Sequence, residues 1–321
     1  MVKVKVTITD DRFVVDYTGT AKTCRGPINA PLSALKSTAK FAYKAVVSPH
    51  GDANEGFFAP LEVIVPEDTV FNPKRPAPIS TYWESDSYAG DVIWKALADV
   101  MPDRITAGHF LSVCGTIVSG IDDRTGEWFF SVEPNAGGWG AGKGKDGESG
   151  LVCSGDGETY VLSIEVAETR YPMIVDQFAL NIVDGGHGQW RGGFGLVKDY
   201  RITNSQAFVT ASFGRNRFPP WGLAGGMDGT PNLVEVRTLD GKADRRGRFS
   251  NEVLHGGDVV RFITGMGGGY GDPKKRDPQA VLNDVLDGYV TRETAERVYG
   301  VAITGEPPQI DEERTRELRR G

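Results

Sequence analysis

An α+β fold, mainly β in its second half, is predicted by three observations. The chain opens on residues that alternate between polar and apolar, the period of a strand that buries one face. Two segments in the first third and one near the end place apolar residues at helical spacing. Between them, residues 160–263 read as short β segments divided by glycine turns, without the strand–helix alternation of a doubly wound sheet.

Taken in order, Val2, Val4, Val6 and Ile8 share a face, Asp10-Asp11 turns the chain, and Phe13 and Val15 resume the alternation as a hairpin. Leu32, Leu35, Ala39, Tyr43 and Val46 predict a helix over 31–47, started at Pro31 and stopped before Pro49. Residues 62–65 read as a strand closed by Pro66, and 72–78 as an extended, proline-marked connector. Val92, Ile93, Ala96, Leu97 and Val100 predict a helix over 90–101, halted by Pro102. Residues 110–118 and 128–132 are strand-like, with Cys114 in the first as a core residue. A loop over 134–157 follows, with nine glycines between 137 and 157. Residues 160–168 are read as a strand, which puts Glu165 and Glu168 on opposite faces and rules them out as an acid/base pair. Helical structure returns over 278–299: Asp277 caps one helix with Pro278 at its first position, and Thr291 caps a second that Gly300 ends. Residues 307–321 are charged and are expected to fray. The organisation expected is an N-terminal α+β part over 1–133, a β-rich glycine-loop part over 134–301 and a charged tail over 302–321.

Composition narrows the function classes. The chain has 321 residues, 39% of them hydrophobic, enough for a real core. With 42 glycines and 18 prolines it is turn-rich but short of a disordered composition. No apolar stretch approaches the roughly 20 residues that span a bilayer, and the N-terminus lacks the apolar block of an export signal. Cys24, Cys114 and Cys153 are odd in number and widely spaced, which fits a reduced, cytoplasmic protein without a disulfide framework. A net charge of −7 argues against nucleic acid as a partner, and the basic run at 242–248 reads as a solvated loop.

The glycine clusters raise the question of phosphate. None has the P-loop spacing, and the lysine-bearing cluster at 140–145 lacks the hydroxyl that would meet Mg²⁺. A cradle of backbone amides competes with tight turns that need positive φ. The four histidines, His50, His109, His187 and His255, show no metal-ligand spacing, so no metal is expected on this chain. The densest polar constellation runs over 184–195, with six glycines in the eleven positions from 185. There Asp184, His187, Trp190 and Arg191 offer a carboxylate, a titratable ring, a flat face and a bidentate donor. Arg215, Trp221 and Gly222 repeat the mixture. A ligand or subunit-contact role and a purely structural turn stay open for these loops.

The order of motifs carries a resemblance. Asp16-Tyr17-Thr18-Gly19-Thr20 is followed by Arg25-Gly26-Pro27-Ile28-Asn29-Ala30-Pro31, Asn54-Glu55-Gly56, Pro66, Asn72-Pro73 and Pro76-Ala77-Pro78. Then come Gly137-Gly138, Asp146-Gly147, Arg191-Gly192-Gly193-Phe194-Gly195, Pro220-Trp221-Gly222, Gly267-Gly268-Gly269-Tyr270-Gly271-Asp272-Pro273 and Tyr299-Gly300-Val301. From about residue 5 to 301 the chain resembles the hydantoinase B/oxoprolinase family, which includes large subunits of acetone- and acetophenone-type carboxylases. Members usually carry a long portion before the Asp16-type motif, so the chain is expected to correspond to the C-terminal half.

The resemblance implies a subunit of an ATP-dependent, multi-subunit enzyme. A hydantoinase A-like partner would bind ATP/Mg and phosphorylate an amide or enolate oxygen, and a further polypeptide would supply the N-terminal half, where a divalent metal is expected. The small-molecule substrate would be a cyclic amide to be hydrolysed (hydantoin, 5-oxoproline or a lactam). The alternatives are a ketone for carboxylation or a non-catalytic scaffold role. The residues expected to act are His187, Arg191, Arg215 and Asp184, with ligand-binding loops at Gly137, Gly138, Asp146, Gly192, Gly193, Trp221, Gly267, Gly268, Gly269 and Tyr270.

Overall fold

The computed structural model describes residues 1–157 and 159–320 and divides into two compact units. Gly321, the end of the expected frayed tail, lies outside the described residues.

The first unit comprises Met1–Thr106 with the short segments Leu111–Val113 and Cys153–Thr159. Its hairpin forms as the alternation predicts: β1 (Lys5–Ile8) pairs antiparallel with β2 (Phe13–Asp16) across the Asp10-Asp11 turn. Helix α1 (Leu32–Val47) begins after Pro31 and returns the chain to β3 (Leu61–Ile64), which lies parallel to β2. A parallel neighbour needs such a crossover, and the helix fills it. The helix buries Leu35, Ala39, Tyr43 and Val46, and Tyr43 meets Phe13 of β2 edge-on at 5.2 Å.

Helix α2 spans Trp83–Leu97, not the expected 90–101. Its buried face includes Glu84, Ser85, Ala89 and Asp91 as well as Ile93, Trp94 and Leu97. Periodicity of apolar residues alone therefore finds only its second half. Ala96 and Val100, assigned to the apolar face, are exposed. The Tyr17 hydroxyl donates to Ala89 O at 3.0 Å, tying the helix to the end of β2.

The second unit takes Ala107–Phe110, Cys114–Val152 and the chain from Tyr160 onward. Strand β4 (Gly115–Ile121) begins later than expected because Leu111 and Cys114 take φ of +67° and +49°, which breaks extended pairing. Cys114 is buried as expected, but just before the strand. Next come β5 (Trp128–Glu133), helix α3 (Ile164–Arg170), β6 (Met173–Asn181), β7 (Gly195–Ile202) and β8 (Gln206–Ser212). Strands β9 (Leu233–Arg237), β10 (Ala243–Arg246), β11 (Arg248–His255) and β12 (Val259–Ile263) complete two antiparallel sheets, ordered β10-β9-β12-β7-β6 and β11-β8-β4-β5. They form a sandwich: Tyr200 and Phe262 of one sheet face Val118, Val209 and Ala211 of the other, all buried. Glu133 of β5 reaches across to Lys198 Nζ at 2.7 Å and accepts the Tyr200 hydroxyl, so a buried carboxylate is satisfied from both sides.

Two expectations change here. Residues 164–168 are helical, because Ser163 caps the first turn by accepting from Val166 N and no cross-strand partner competes. Glu165 and Glu168 then share a helix side rather than opposing faces, and Glu168 is used locally, accepting from Val175 N at 2.9 Å. The charged end is not frayed either. After α4 (Pro278–Leu286) and α5 (Arg292–Arg297), a two-strand turn of β13 (Ile303–Thr304) and β14 (Gln309–Ile310) leads into α6 (Glu312–Arg320). A small core of Val281, Leu282, Val290, Ala295, Tyr299, Val301 and Ile303 holds this segment. Arg319 of α6 donates to the carbonyls of Tyr299 and Arg276.

Candidate functional site

Most of the expected ligand-binding loops interlock backbone against backbone. The amide of Gly137 donates to Leu151 O, Gly138 to Gly265 O, Gly192 to Gly186 O and Gly193 to Trp139 O. Gly267 donates to Gly193 O, Gly268 to Gly108 O, Gly269 to Met227 O and Tyr270 to Trp190 O. These amides already have carbonyl partners, so they do not form an open cradle for phosphate.

The glycines are required by close approach rather than by positive φ. A Cβ on Gly138 would lie 2.0 Å from Gly193 O, and one on Gly267 would lie 2.1 Å from Trp139 O. Neither residue has positive φ. Asn232, fully buried, pins the same layer: its side-chain amide donates to Phe110 O and Gly214 O, and its oxygen accepts from Gly265 N. Trp221 is buried within the layer, its carbonyl accepting from Gly108 N. Tyr270 stacks obliquely on Trp190 at 5.5 Å.

His187 and Asp184 come together with a residue that sequence reasoning had not paired with them. His187 Nε2 lies 2.8 Å from Asp184 Oδ1 and Nδ1 lies 2.9 Å from the Tyr299 hydroxyl. An ionised Asp184 accepts only, so Nε2 carries the hydrogen and the Tyr299 hydroxyl donates to Nδ1. Burial pushes the His187 pKa below its ordinary value, partly opposed by Asp184. Asp184 is itself half in solvent; burial works against its charge, but bonds from His187, Arg297 and Thr294 hold its carboxyl below the usual range. Arg297 also lines a groove of about 590 Å³ with Lys274, Glu293, Glu296, Gly300 and Leu318. The relay thus runs from buried Tyr299 to a charged groove edge.

Arg191 stands in a second cluster. Its Nε meets Asp284 Oδ1 at 3.2 Å, and its guanidinium lies 4.8 Å over Phe194 and 5.1 Å over Tyr289. Arg276 bonds both oxygens of Asp146, at 2.7 and 2.8 Å, and Asp284 Oδ2 at 3.0 Å. Two arginines and two aspartates balance in charge, which is how buried ions become tolerable. Arg276 and Asp284 were not singled out from sequence, because their partners lie 130 and 93 residues away.

Arg215 stands apart from both clusters. It is buried and takes φ +56°, a conformation that costs a non-glycine residue and concentrates at functional positions. Asn232 holds the carbonyls of the preceding residue and of Phe110, bringing Arg215 near His109. The Gly140 amide donates to His109 Nδ1 at 2.8 Å, so the ring is neutral with its hydrogen on Nε2. Burial, reinforced by the Arg215 charge, holds the His109 pKa down to about 3. In the first unit, burial and the nearby Asp156 and Glu84 charges push the Cys153 thiol up to about 12, which makes it a poor nucleophile. Among the described residues, no cluster of three or more His, Cys, Asp or Glu is arranged to hold a metal ion. No helix among them is long and apolar enough to cross a membrane.

The fold and these loops define the class. Residues 1–273 match the hydantoinase B/oxoprolinase family, and the chain belongs to it. It is 35% identical to an uncharacterized protein of Methanocaldococcus jannaschii over 99% of this chain and 55% of that protein. It is 31% identical to caprolactamase subunit beta of Pseudomonas jessenii over 82% of this chain and 46% of the relative. The crystal structure of the ATP-dependent caprolactamase of that organism superposes with a TM-score of 0.83 at 26% identity, covering 100% of this chain and 56% of that one. A nucleotide-free acetone carboxylase structure superposes with a TM-score of 0.84 at 21% identity, over 99% of this chain and 48% of its own, a likeness of fold. The chain thus spans about half the length of each of these relatives.

Proposed function

We propose that this chain is part of an ATP-dependent enzyme of the hydantoinase/oxoprolinase type that hydrolyses a phosphate-activated cyclic amide. The observation that carries the reading is family membership over residues 1–273 together with the likeness to a caprolactamase subunit in both sequence and fold. A hydantoinase A-like partner binds ATP and Mg²⁺ and transfers the γ-phosphoryl group to the amide oxygen. Water then adds to the activated carbon and the C–N bond breaks, the ring nitrogen leaving as the amine so that the ring opens to an acyl phosphate. A second water releases phosphate and leaves the carboxylate. The portion of the relatives that this chain does not match belongs to the same assembly and carries any divalent metal. A ketone carboxylase is the second reading, favoured by the fold shared with acetone carboxylase.

Within this reading the expected residues divide by role. His187, Asp184 and Arg191 are positioning residues: both nitrogens of His187 are engaged, and Arg191 is held between Asp284 and two aromatic rings. Arg215 is the catalytic candidate, a buried cation on a strained backbone beside the fixed Nε2–H donor of His109. The test is ADP release by the reconstituted complex. Turnover stimulated by a lactam, hydantoin or 5-oxoproline and indifferent to bicarbonate is expected; turnover that requires a ketone and bicarbonate overturns the hydrolase reading.

A further inference from the structure

The two sheets of the sandwich are unequal, five strands against four, and the mismatch falls at one edge. Glu133 of β5 contacts Lys198 and Tyr200 of β7, which puts β5 opposite β7. Strand β6 flanks β7, so it overhangs the four-stranded sheet by one strand position. Phe178 and Leu180 pair with Lys198 and Leu196, placing them on the same face as Lys198, the face that looks toward the other sheet. They should be core, yet they are 42% and 37% exposed.

The strand that would cover them is missing beside β5. Among the described residues β5 pairs with β4 alone and forms the edge of its sheet, and its sequence, Trp128-Phe-Phe-Ser-Val-Glu133, contains none of the lysines or prolines that usually protect an edge. Its outward residues Trp128, Phe130 and Val132 are 60%, 54% and 60% exposed. Apolar exposure of this kind marks a contact surface.

We propose that the free edge of β5 receives one extended segment, with apolar residues alternating toward Phe178 and Leu180, from the portion of hydantoinase B-type chains that this sequence does not match. The proposal rests on the family reading for the source of the segment and on the sandwich geometry for its place. The chain covers 55% of the Methanocaldococcus jannaschii relative and 56% of the superposing caprolactamase chain, so both carry nearly as much length again. A permanently covered face is the kind that turns apolar at its centre. A second copy does not fit: antiparallel pairing of two β5 strands keeps both sandwiches facing the same way. The incoming β5 would then bring its own β7 into the space that β6 already occupies. Main-chain bonds to β5 would supply affinity and the Phe178–Leu180 ledge specificity, as in other cases of strand addition.

The test places a photoreactive phenylalanine analogue at position 178 of the tagged chain and purifies it from its own cells. Phe218, 77% exposed elsewhere, serves as the control position. The expected adduct joins position 178 to a segment matching the part of hydantoinase B relatives absent from this sequence, in the same chain or a separate one. In the purified assembly, β5 amides should exchange with deuterium at least tenfold more slowly than in the isolated chain, and Phe178→Asp with Leu180→Asp should remove that protection. An adduct to a second copy or to the ATP-binding partner overturns the proposal. So does an assembly in which position 178 yields no adduct and β5 exchanges as in the isolated chain. An adduct of the expected kind in an assembly without ATP-driven turnover would sink the functional reading and leave the strand addition standing.

Discussion

Single residues carry three expectations. Alanine at Gly138 would set a methyl 2.0 Å from the Gly193 carbonyl, and backbone cannot move aside as a side chain can. Gly138→Ala should therefore lower stability by about 3 kcal/mol or more, whereas Gly26→Ala, with nothing within 4 Å of its Cβ, should leave the urea midpoint unchanged. His109 has an ordinary pKa of 6.5 when unfolded and is held to about 3 in the fold. The unfolded chain therefore takes up this proton first, so the stability is complete above about pH 6.5 and is lost as pH falls toward 3, by up to roughly 1.4 kcal/mol per unit. His187 acts in the same direction. Melting curves from pH 8 to 4 should show a steep acid limb that His109→Gln flattens; equal slopes would refute the assignment. Arg215→Lys keeps the charge but loses the fork, so kcat should fall about 100-fold with assembly intact. An unchanged kcat would return Arg215 to a structural role.

At the scale of elements, the C-terminal helices act as a clasp on the glycine layer. Tyr299 reaches His187, Thr294 and Arg297 reach Asp184, and Asp284 reaches Arg191 and Arg276. Removing one buried ion leaves its partners uncompensated, so Asp284→Ala should cost about 3–5 kcal/mol. Asp240→Ala, at the exposed Asp240–Lys242 pair, should leave the midpoint in place. Equal effects of the two substitutions would show that the Arg191–Asp284–Arg276 cluster is not structural. Elements with a strong local signal were legible: α1 and α4 begin where Pro31, Asp277 and Pro278 place them. Elements whose signal is tertiary were not. The first half of α2 buries Glu84 and Ser85, which look like surface residues in sequence, and α3 sits where apolar alternation suggests a strand. Helix α6 reads as a solvated charge run because only Thr315 is buried, while Arg319 docks through carbonyls that composition does not reveal.

For the whole molecule, the fold class, the family and the places of the glycine loops along the chain follow from the amino-acid order alone. Those properties depend on local propensity and on the order of motifs, both written along the chain. What the glycines are for emerges only from the packing of the folded chain. Four segments far apart in sequence approach within backbone contact, and a glycine needed for closeness looks the same in sequence as one needed for a turn. The same separation hid Tyr299, Arg276 and Asp284. It also hid the overhang of β6, which exists only as the difference between two facing sheets: Phe178 and Leu180 alternate as core residues should, and only the strand count opposite them leaves them uncovered.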